Sequence, residues 1–262
     1  MNEALARMVR RHDPDRFFTV LFAPPDRRDA LLTLYAFNYE LARARAVASE
    51  PPLALIRLQW WREVVEGEAK RHEIATPLTQ ALESGALRRD DLLPLIEARD
   101  AEAYGEFTTT EEWRSWLLAG AGGLAVAAAR TLGADEPEPL RRYGAAYGVA
   151  ALLRATGALA SHGRCLLPHD LLDQHGLTPE GFIHAPSSIA GRAVLAHVAH
   201  LGRGILRDAR GVPRVALAAA LPAVLARRDF AAWPRLAEPR RFGDRAAVML
   251  AAVTGRILKG GR

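Results

Sequence analysis

Apolar residues recur at steps of three and four along most of the chain, which is the period of a helix with one buried face. Leu31, Leu34, Tyr35 and Leu41 follow this spacing after residues 24–26, whose sequence Pro-Pro-Asp is typical of a helix start. No segment alternates apolar and polar residues strictly enough to indicate a strand. The pattern therefore predicts an all-α bundle.

A second helix is predicted to begin just after Ser49, whose side chain is suited to cap it. Pro51 and Pro52 fall in its first turn, where proline is tolerated because those positions need no hydrogen-bond donor within the helix. Four apolar residues are expected along its buried side: Leu53, Ile56, Trp60 and Val64. Trp60 and Trp61 are adjacent and cannot share one face, so one is expected in the core and the other nearer the surface.

Two longer helices are predicted further along the chain. Thr109 and Glu112 have the spacing of a capping box, and they precede a helix predicted over residues 113–132 that ends at Gly133. A helix is also predicted over residues 139–159, with a proline at its first position.

Small residues concentrate on these two helices. They are Gly120, Gly122 and Gly123 on the first, and Gly144, Gly148, Ala151, Ala155 and Ala158 on the second. Small side chains either let helices pack closely or leave room for a long apolar ligand. The sequence leaves both interpretations open.

Two segments carry a resemblance to a known family. Residues 35–46 read YAFNYELARARA, and residues 152–168 read LLRATGALASHGRCLLP. They resemble the two signature helices of the squalene/phytoene synthase family. The resemblance implies an isoprenoid (terpenoid) synthase-like helical bundle over residues 1–210. Residues 211–262 are expected to form a basic, helical C-terminal extension packed on the same domain.

Enzymes of that family carry an Asp-x-x-x-Asp motif on each signature helix, and the resemblance aligns the four aspartates with residues that bind no cation. The aligned positions are Ala42, Ala46, Ala155 and Leu159. Mg²⁺ needs oxygen ligands, and alkyl side chains supply none. No two of the thirteen aspartates stand four residues apart. The sequence therefore predicts no metal, no cofactor and no catalytic residue at these positions.

The departures from the enzyme motifs are themselves a pattern. They are AFNYELA at 36–42, Ser49-Glu50, RLQWW at 57–61 and LRAT at 153–156. These blocks resemble the non-enzymatic branch of the family, which includes assembly factors of respiratory complex I. The resemblance implies an assembly factor or chaperone with a respiratory-complex subunit as its partner. Two alternatives stay open: a prenyl-lipid-binding protein that kept the cavity, and a prenyltransferase of isoprenoid biosynthesis.

Several polar residues lie on otherwise apolar predicted helices, where each would be costly to bury alone. The candidate pocket or polar network comprises Asn38, Glu40, Arg57, Gln59, Trp60, Tyr147, Arg154 and Thr156. The first interpretation is a structural network in which Arg154 or Arg57 neutralises Glu40. The second is that the arginines hold an anionic headgroup or a carboxylate of a partner.

Charge is unevenly distributed along the chain. Residues 227–262 contain nine basic and three acidic residues, so this stretch has a net charge of +6. The remaining residues have a net charge of −1, which gives +5 for the whole sequence. The candidate membrane or partner patch is Arg227, Arg228, Trp233, Arg240 and Arg241. Such a patch fits an anionic membrane surface or an acidic protein face, although solvated helix faces have the same composition. Nucleic acid is not expected, because no reading motif or stacking aromatics accompany the cations.

The remaining composition narrows the cellular setting. Half of the 262 residues are apolar, enough for one sizeable core, yet no apolar run reaches the eighteen residues that span a bilayer. The only cysteine, Cys165, permits a reducing compartment, and no secretory signal is evident at the start. A cytoplasmic protein is expected, and peripheral attachment to the inner membrane is left open.

Overall fold

The computed structural model describes residues 2–48, 50–236 and 239–257, and within these ranges the chain forms fifteen α-helices and no β-strand. The all-α prediction is therefore confirmed. The helices are α1 (Glu3–His12), α2 (Pro14–Val20), α3 (Arg28–Ala46), α4 (Pro51–Glu66), α5 (Ala75–Glu83), α6 (Arg89–Tyr104), α7 (Thr110–Leu117), α8 (Gly123–Thr131), α9 (Leu140–Ser161), α10 (His169–Gln174), α11 (Pro179–His184), α12 (Ile189–Arg207), α13 (Leu217–Ala220), α14 (Pro222–Ala232) and α15 (Phe242–Thr254).

The helix start predicted at Thr109 is confirmed by its side-chain hydrogen bonds. The Thr109 side chain accepts from the backbone N–H of Glu112, and the Glu112 carboxylate accepts from the Thr109 N–H, which completes the capping box before α7. The single helix predicted over residues 113–132 is interrupted by a π-helical turn at Leu118–Gly122. Its glycines favour the interruption, because glycine holds α-helical geometry weakly. Ser49 lies outside the described residues.

The buried side of α4 differs from the prediction. Leu53 and Ile56 are exposed, while Ala54, Leu58 and Trp61 face the core. Apolar residues cover a broad arc of this helix, wider than the buried part, so periodicity alone did not define which side of that arc is buried. The contrast between the two tryptophans is confirmed, because Trp61 is buried edge-on against Phe37 and Trp60 is half-buried. Of the four residues predicted on the buried side of α4, only Val64 is fully buried.

The longest helix, α9, lies at the centre of the bundle. It packs against the π-helical turn and against α8, α12 and α14. Its first half is buried almost throughout, whereas Ala151 and Ala158 in its second half are exposed. Helices before and after residue 210 contribute to one hydrophobic cluster, including Leu34 of α3 and Val248 of α15. The predicted domain boundary at residue 210 remains a prediction. None of the described helices is both long enough and apolar enough to cross a bilayer.

Glycines allow the π-helical turn to approach α9 closely. A Cβ added to Gly144 would lie 2.3 Å from the carbonyl oxygen of Ala121, and one added to Gly148 would lie 2.6 Å from the Ala121 Cβ. Both distances are shorter than atoms tolerate, so contact with Ala121 excludes side chains at both positions. The close-packing interpretation of the small residues therefore applies to this part of the bundle.

A matched pair of substitutions on α9 tests the close packing. Gly144→Ala should lower the free energy of unfolding by at least about 2 kcal/mol, because the added methyl group displaces the backbone of the neighbouring turn. Gly157→Ala is the control: apart from its chain neighbours and the backbone of its own helix, no atom lies within 4 Å of its Cβ position, so it should be neutral or stabilise by up to about 1 kcal/mol. Urea unfolding followed by circular dichroism measures both. Equal stability of the two variants would contradict the packing argument.

Candidate functional site

The four positions aligned with the family's metal-binding aspartates lie on α3 and α9. Ala46 is exposed, and Ala42, Ala155 and Leu159 are half-buried. None of their side chains carries an oxygen, nitrogen or sulfur atom that could bind a cation. Among the described residues, no three His, Cys, Asp or Glu side chains come together as a possible metal site. The donor set at these positions does not fit the Mg²⁺-diphosphate chemistry of the family's enzymes.

Arg154, which precedes Ala155 in the sequence, is one of two arginines that bind the buried carboxylate of Asp229 on α14. Arg154 of α9 donates from Nε to Oδ2 at 2.8 Å and from Nη2 to Oδ1 at 2.5 Å. Arg240, from the segment before α15, donates from Nη1 to Oδ1 at 2.6 Å. Asp229 is only 3% exposed, so both guanidinium groups neutralise a charge that would be costly to bury alone.

Arg240 also connects Asp229 to the N-terminal helices. Its Nη2 donates to Oδ2 of Asp15 on α2 at 2.8 Å, and its Nε contacts the same carboxylate at 3.0 Å. The hydroxyl of Tyr147 on α9 donates to the same Oδ2 at 3.0 Å. One carboxylate therefore joins α2, α9 and the C-terminal segment.

Arg16 completes this cluster beside the tyrosines. Its guanidinium lies 4.8 Å from the ring centre of Tyr147 and 5.6 Å from that of Tyr35, and it donates to Asp13 at 2.6 Å. The seven residues, called the α9 ion network below, are Asp13, Asp15, Arg16, Tyr147, Arg154, Asp229 and Arg240. Three arginines and three aspartates are present, so their formal charges cancel.

Burial keeps the hydroxyl group of Tyr147 protonated near neutral pH. It raises the pKa of Tyr147 well above its ordinary value, and the nearby carboxylates of Asp13 and Asp15 raise it further. Burial also raises the pKa of Tyr35 to about 12. Burial alone would lower the pKa of Arg240, but its hydrogen bonds to the two aspartates raise that pKa overall. The Tyr147 hydroxyl therefore keeps its proton and remains a donor to Asp15.

Little free space remains beside the network. The cavity bounded by Arg16, Tyr35 and Tyr147 measures about 10 Å³. That is about the space needed for one water molecule, whereas ligand pockets usually measure at least 300 Å³. The network therefore fills this part of the bundle with protein atoms.

The structure does not bring all of the predicted network residues together. Glu40 accepts a hydrogen bond from Arg43 on its own helix at 3.2 Å, so the expected pairing of Glu40 with Arg154 or Arg57 is wrong. Arg57 is exposed. The error arose because Arg154 has a nearer carboxylate in Asp229, which comes from another helix.

The other predicted network residues bond locally or join separate groups. Gln59 is exposed and bonds Arg62 and Glu63 on α4, whereas the Trp60 ring lies 5.4 Å from the Lys70 ammonium. Thr156 donates to the carbonyl of Leu152 on its own helix. Only Tyr147 and Arg154, of the eight predicted residues, belong to the α9 ion network.

Asn38 belongs to a second polar cluster. It accepts a hydrogen bond from Arg99 at 3.3 Å, and Arg99 also binds the buried carboxylate of Glu102 on α6. Arg164 binds the other Glu102 oxygen at 3.2 Å. A cavity of about 210 Å³ lies beside this cluster, with Cys165 on its wall. Burial raises the pKa of Cys165 to about 11, so its thiol is protonated at neutral pH and is not a reactive thiolate.

The basic patch expected near the C-terminus is divided in the structure. Arg240 belongs to the α9 ion network, and Arg228 donates to Asp244 at 2.5 Å. Arg227 lies in a surface groove between α12 and α14, and Trp233 is half-buried. Arg241 is exposed. These five residues therefore do not form one free cationic surface.

Sequence comparison relates the chain to one family and to several named relatives. Residues 9–236 match the family described as Squalene/phytoene synthase. Three relatives named NADH dehydrogenase (ubiquinone) complex I, assembly factor 6 are 26% (Mus musculus), 27% (Homo sapiens) and 29% (Bos taurus) identical. Each match covers 83% of this chain and 68% of the relative.

Structural comparison gives the same fold. A dehydrosqualene synthase in complex with ligand superposes with a TM-score of 0.78 at 12% identity, covering 97% of this chain and 95% of the other. The squalene synthase HpnC from Alicyclobacillus acidocaldarius superposes with a TM-score of 0.65 at 20% identity, covering 97% and 93%. The predicted isoprenoid synthase-like fold is therefore confirmed.

The α9 ion network should be the largest single polar contribution to stability. Asp229→Asn leaves Arg154 and Arg240 buried without their shared carboxylate, so the free energy of unfolding should fall by about 3–5 kcal/mol. Glu138→Gln is the control, because the Glu138–Arg141 pair lies largely in solvent and should contribute less than about 1 kcal/mol. Chemical denaturation measures both variants. A loss below about 1 kcal/mol for Asp229→Asn would contradict the structural role of the network.

Proposed function

We propose that this chain, which belongs to the squalene/phytoene synthase family, is a non-catalytic member that assists the assembly of a respiratory membrane complex of the complex I type. The observation that carries the proposal is the change in side-chain type on α9. Alkyl groups occupy the positions of the metal-binding aspartates, and the adjoining arginine is bound to a carboxylate of the protein itself.

Charge balance supports the non-catalytic part of the proposal. A prenyl diphosphate is strongly anionic, and it binds where metal ions or free arginines supply positive charge. Here Arg154 and Arg240 both bind Asp229, and Arg240 also binds Asp15. A diphosphate would have to displace buried ion pairs, and it would meet two carboxylates in doing so. This cost opposes the binding of a diphosphate at the α9 ion network.

The assembly part of the proposal is supported by the named relatives. The mammalian proteins carry the name complex I assembly factor 6, and the similarity extends over most of this chain rather than over one motif. A protein that assists assembly must contact its partners through its surface. We therefore place the functional contacts on the outside of the bundle, with subunits of the respiratory complex as the partners.

The two other functions differ in what they require. A prenyltransferase requires metal ligands, which Ala42, Ala46, Ala155 and Leu159 do not supply. A prenyl-lipid-binding protein requires an apolar cavity but no metal. Affinity capture from native membranes, with lipid analysis of the same eluate, separates this possibility from the assembly role. A single enriched prenyl lipid without respiratory subunits would favour the lipid-binding function.

Gene deletion in the organism that encodes the chain tests the proposed function. Loss of the gene should lower the amount of assembled respiratory NADH dehydrogenase on native gels, together with the NADH–quinone activity of isolated membranes. Isoprenoid products should remain unchanged. The wild-type gene and the Glu138→Gln control should restore the complex, whereas the destabilised Asp229→Asn variant should restore less. A normal complex together with an altered isoprenoid profile would contradict the proposal.

A further inference from the structure

The C-terminal helix α15 is apolar on both of its sides. On the inner side, Val248 and Ala251 are buried against the bundle. Asp244 is bound by Arg228 of α14 and accepts from the backbone N–H of Arg241, which holds the start of the helix. These contacts fix which side of α15 faces outward.

Four large apolar side chains form the outer side of α15, called the α15 ridge below. Phe242 is 81% exposed, Met249 40%, Leu250 65% and Val253 84%. Met249, Leu250 and Val253 follow Phe242 by seven, eight and eleven residues, a spacing that places all four on one helical face. Ala246 lies on the same face, so no polar side chain interrupts the ridge. Surface helices of soluble proteins normally carry polar residues there, and continuous exposed apolar surface marks an interaction site.

Cations border the ridge without exposed acids on the same helix. Arg241 and Arg245 flank its first turn and Arg256 follows its last turn, and all three side chains are exposed. The only acid on α15 is Asp244, which is already bound to Arg228. The sequence continues with Lys259 and Arg262, which lie outside the described residues. Apolar side chains and neighbouring arginines together match the chemistry of an anionic lipid surface.

We propose that α15 lies in the plane of an anionic membrane, with the α15 ridge inserted among the acyl chains and the flanking arginines at the headgroups. The helix then acts as a peripheral attachment and spans nothing. This inference stands apart from the assembly role, because it rests on α15 alone and each can fail without the other. It also relocates the basic patch expected from the sequence, of which only Arg241 borders this ridge.

The shape and charge of the ridge favour lipid over a second copy of the chain. Two copies joined through this face would bring Arg241, Arg245 and Arg256 of each near those of the other, and like charges repel. The ridge is also a row of projecting side chains rather than a groove. A lipid surface accommodates such a row by deforming, whereas a protein partner needs a matching cleft.

Vesicle co-sedimentation of the full-length protein tests the attachment. Vesicles of phosphatidylcholine alone are compared with vesicles that also contain phosphatidylglycerol, at low and high salt. Wild-type protein should bind the anionic vesicles and lose most of that binding at high salt, because salt screens the arginine–headgroup attraction. The Leu250→Ser/Val253→Ser variant should bind the anionic vesicles at least about tenfold more weakly than wild type. The Arg241→Gln/Arg245→Gln variant should lose about fivefold per cation.

Matched controls remove exposed residues elsewhere on the surface. Ile189→Ser changes an 82% exposed apolar residue at the start of α12, and Arg7→Gln changes an exposed cation on α1. Both should bind anionic vesicles like wild type, and circular dichroism should show that all variants are folded. Equal binding by the ridge variants and these controls would overturn the proposal. A second result would also overturn the proposal: wild-type protein does not bind vesicles but forms a dimer in sedimentation, and the Leu250→Ser/Val253→Ser variant is monomeric. The α15 ridge would then join two copies of the chain.

Discussion

The carboxylate of Asp229, held between Arg154 and Arg240, is the interaction on which the interior of this protein depends. A buried charge must be paired, and here one aspartate pairs with residues that lie 75 positions before it and 11 positions after it. Arg240 extends the contact to Asp15, 225 positions away, so α2 and the segment before α15 are both joined to α9. The ion pairs therefore act as a fastening between distant segments as well as a neutralised charge.

The same network supports the proposal that an enzyme-like scaffold has a non-catalytic role here. Fold alone does not determine function, and the helices superpose on those of squalene and dehydrosqualene synthases although identity is low. What differs is the chemistry of the interior: alkyl groups stand where the family's enzymes carry aspartates, and arginines are committed to internal carboxylates. In the proposed assembly role, the surface of the bundle is the part of the molecule that recognises partners.

Local signals in the sequence predicted the fold well and the contacts poorly. The capping box of Thr109 and Glu112, the helix periods and the family blocks all concern residues close together in the chain. The partner of Arg154 was mistaken because Asp229 is distant in sequence and carries no motif of its own. The π-helical turn and the exposed side of α15 depend on tertiary packing, which periodicity does not encode: α15 has apolar residues on two faces, and only the structure shows which one is covered.

The central claim is that the interior site serves structure and not diphosphate chemistry, and pyrophosphate release tests it most directly. Purified protein is incubated with Mg²⁺ and farnesyl or geranylgeranyl diphosphate, with a protein-free reaction and an EDTA-treated reaction as controls. The account predicts no pyrophosphate above the protein-free control, because Ala42, Ala46, Ala155 and Leu159 provide no ligand for the metal. Metal-dependent release that persists through independent purifications, and that follows the protein across column fractions, would contradict it.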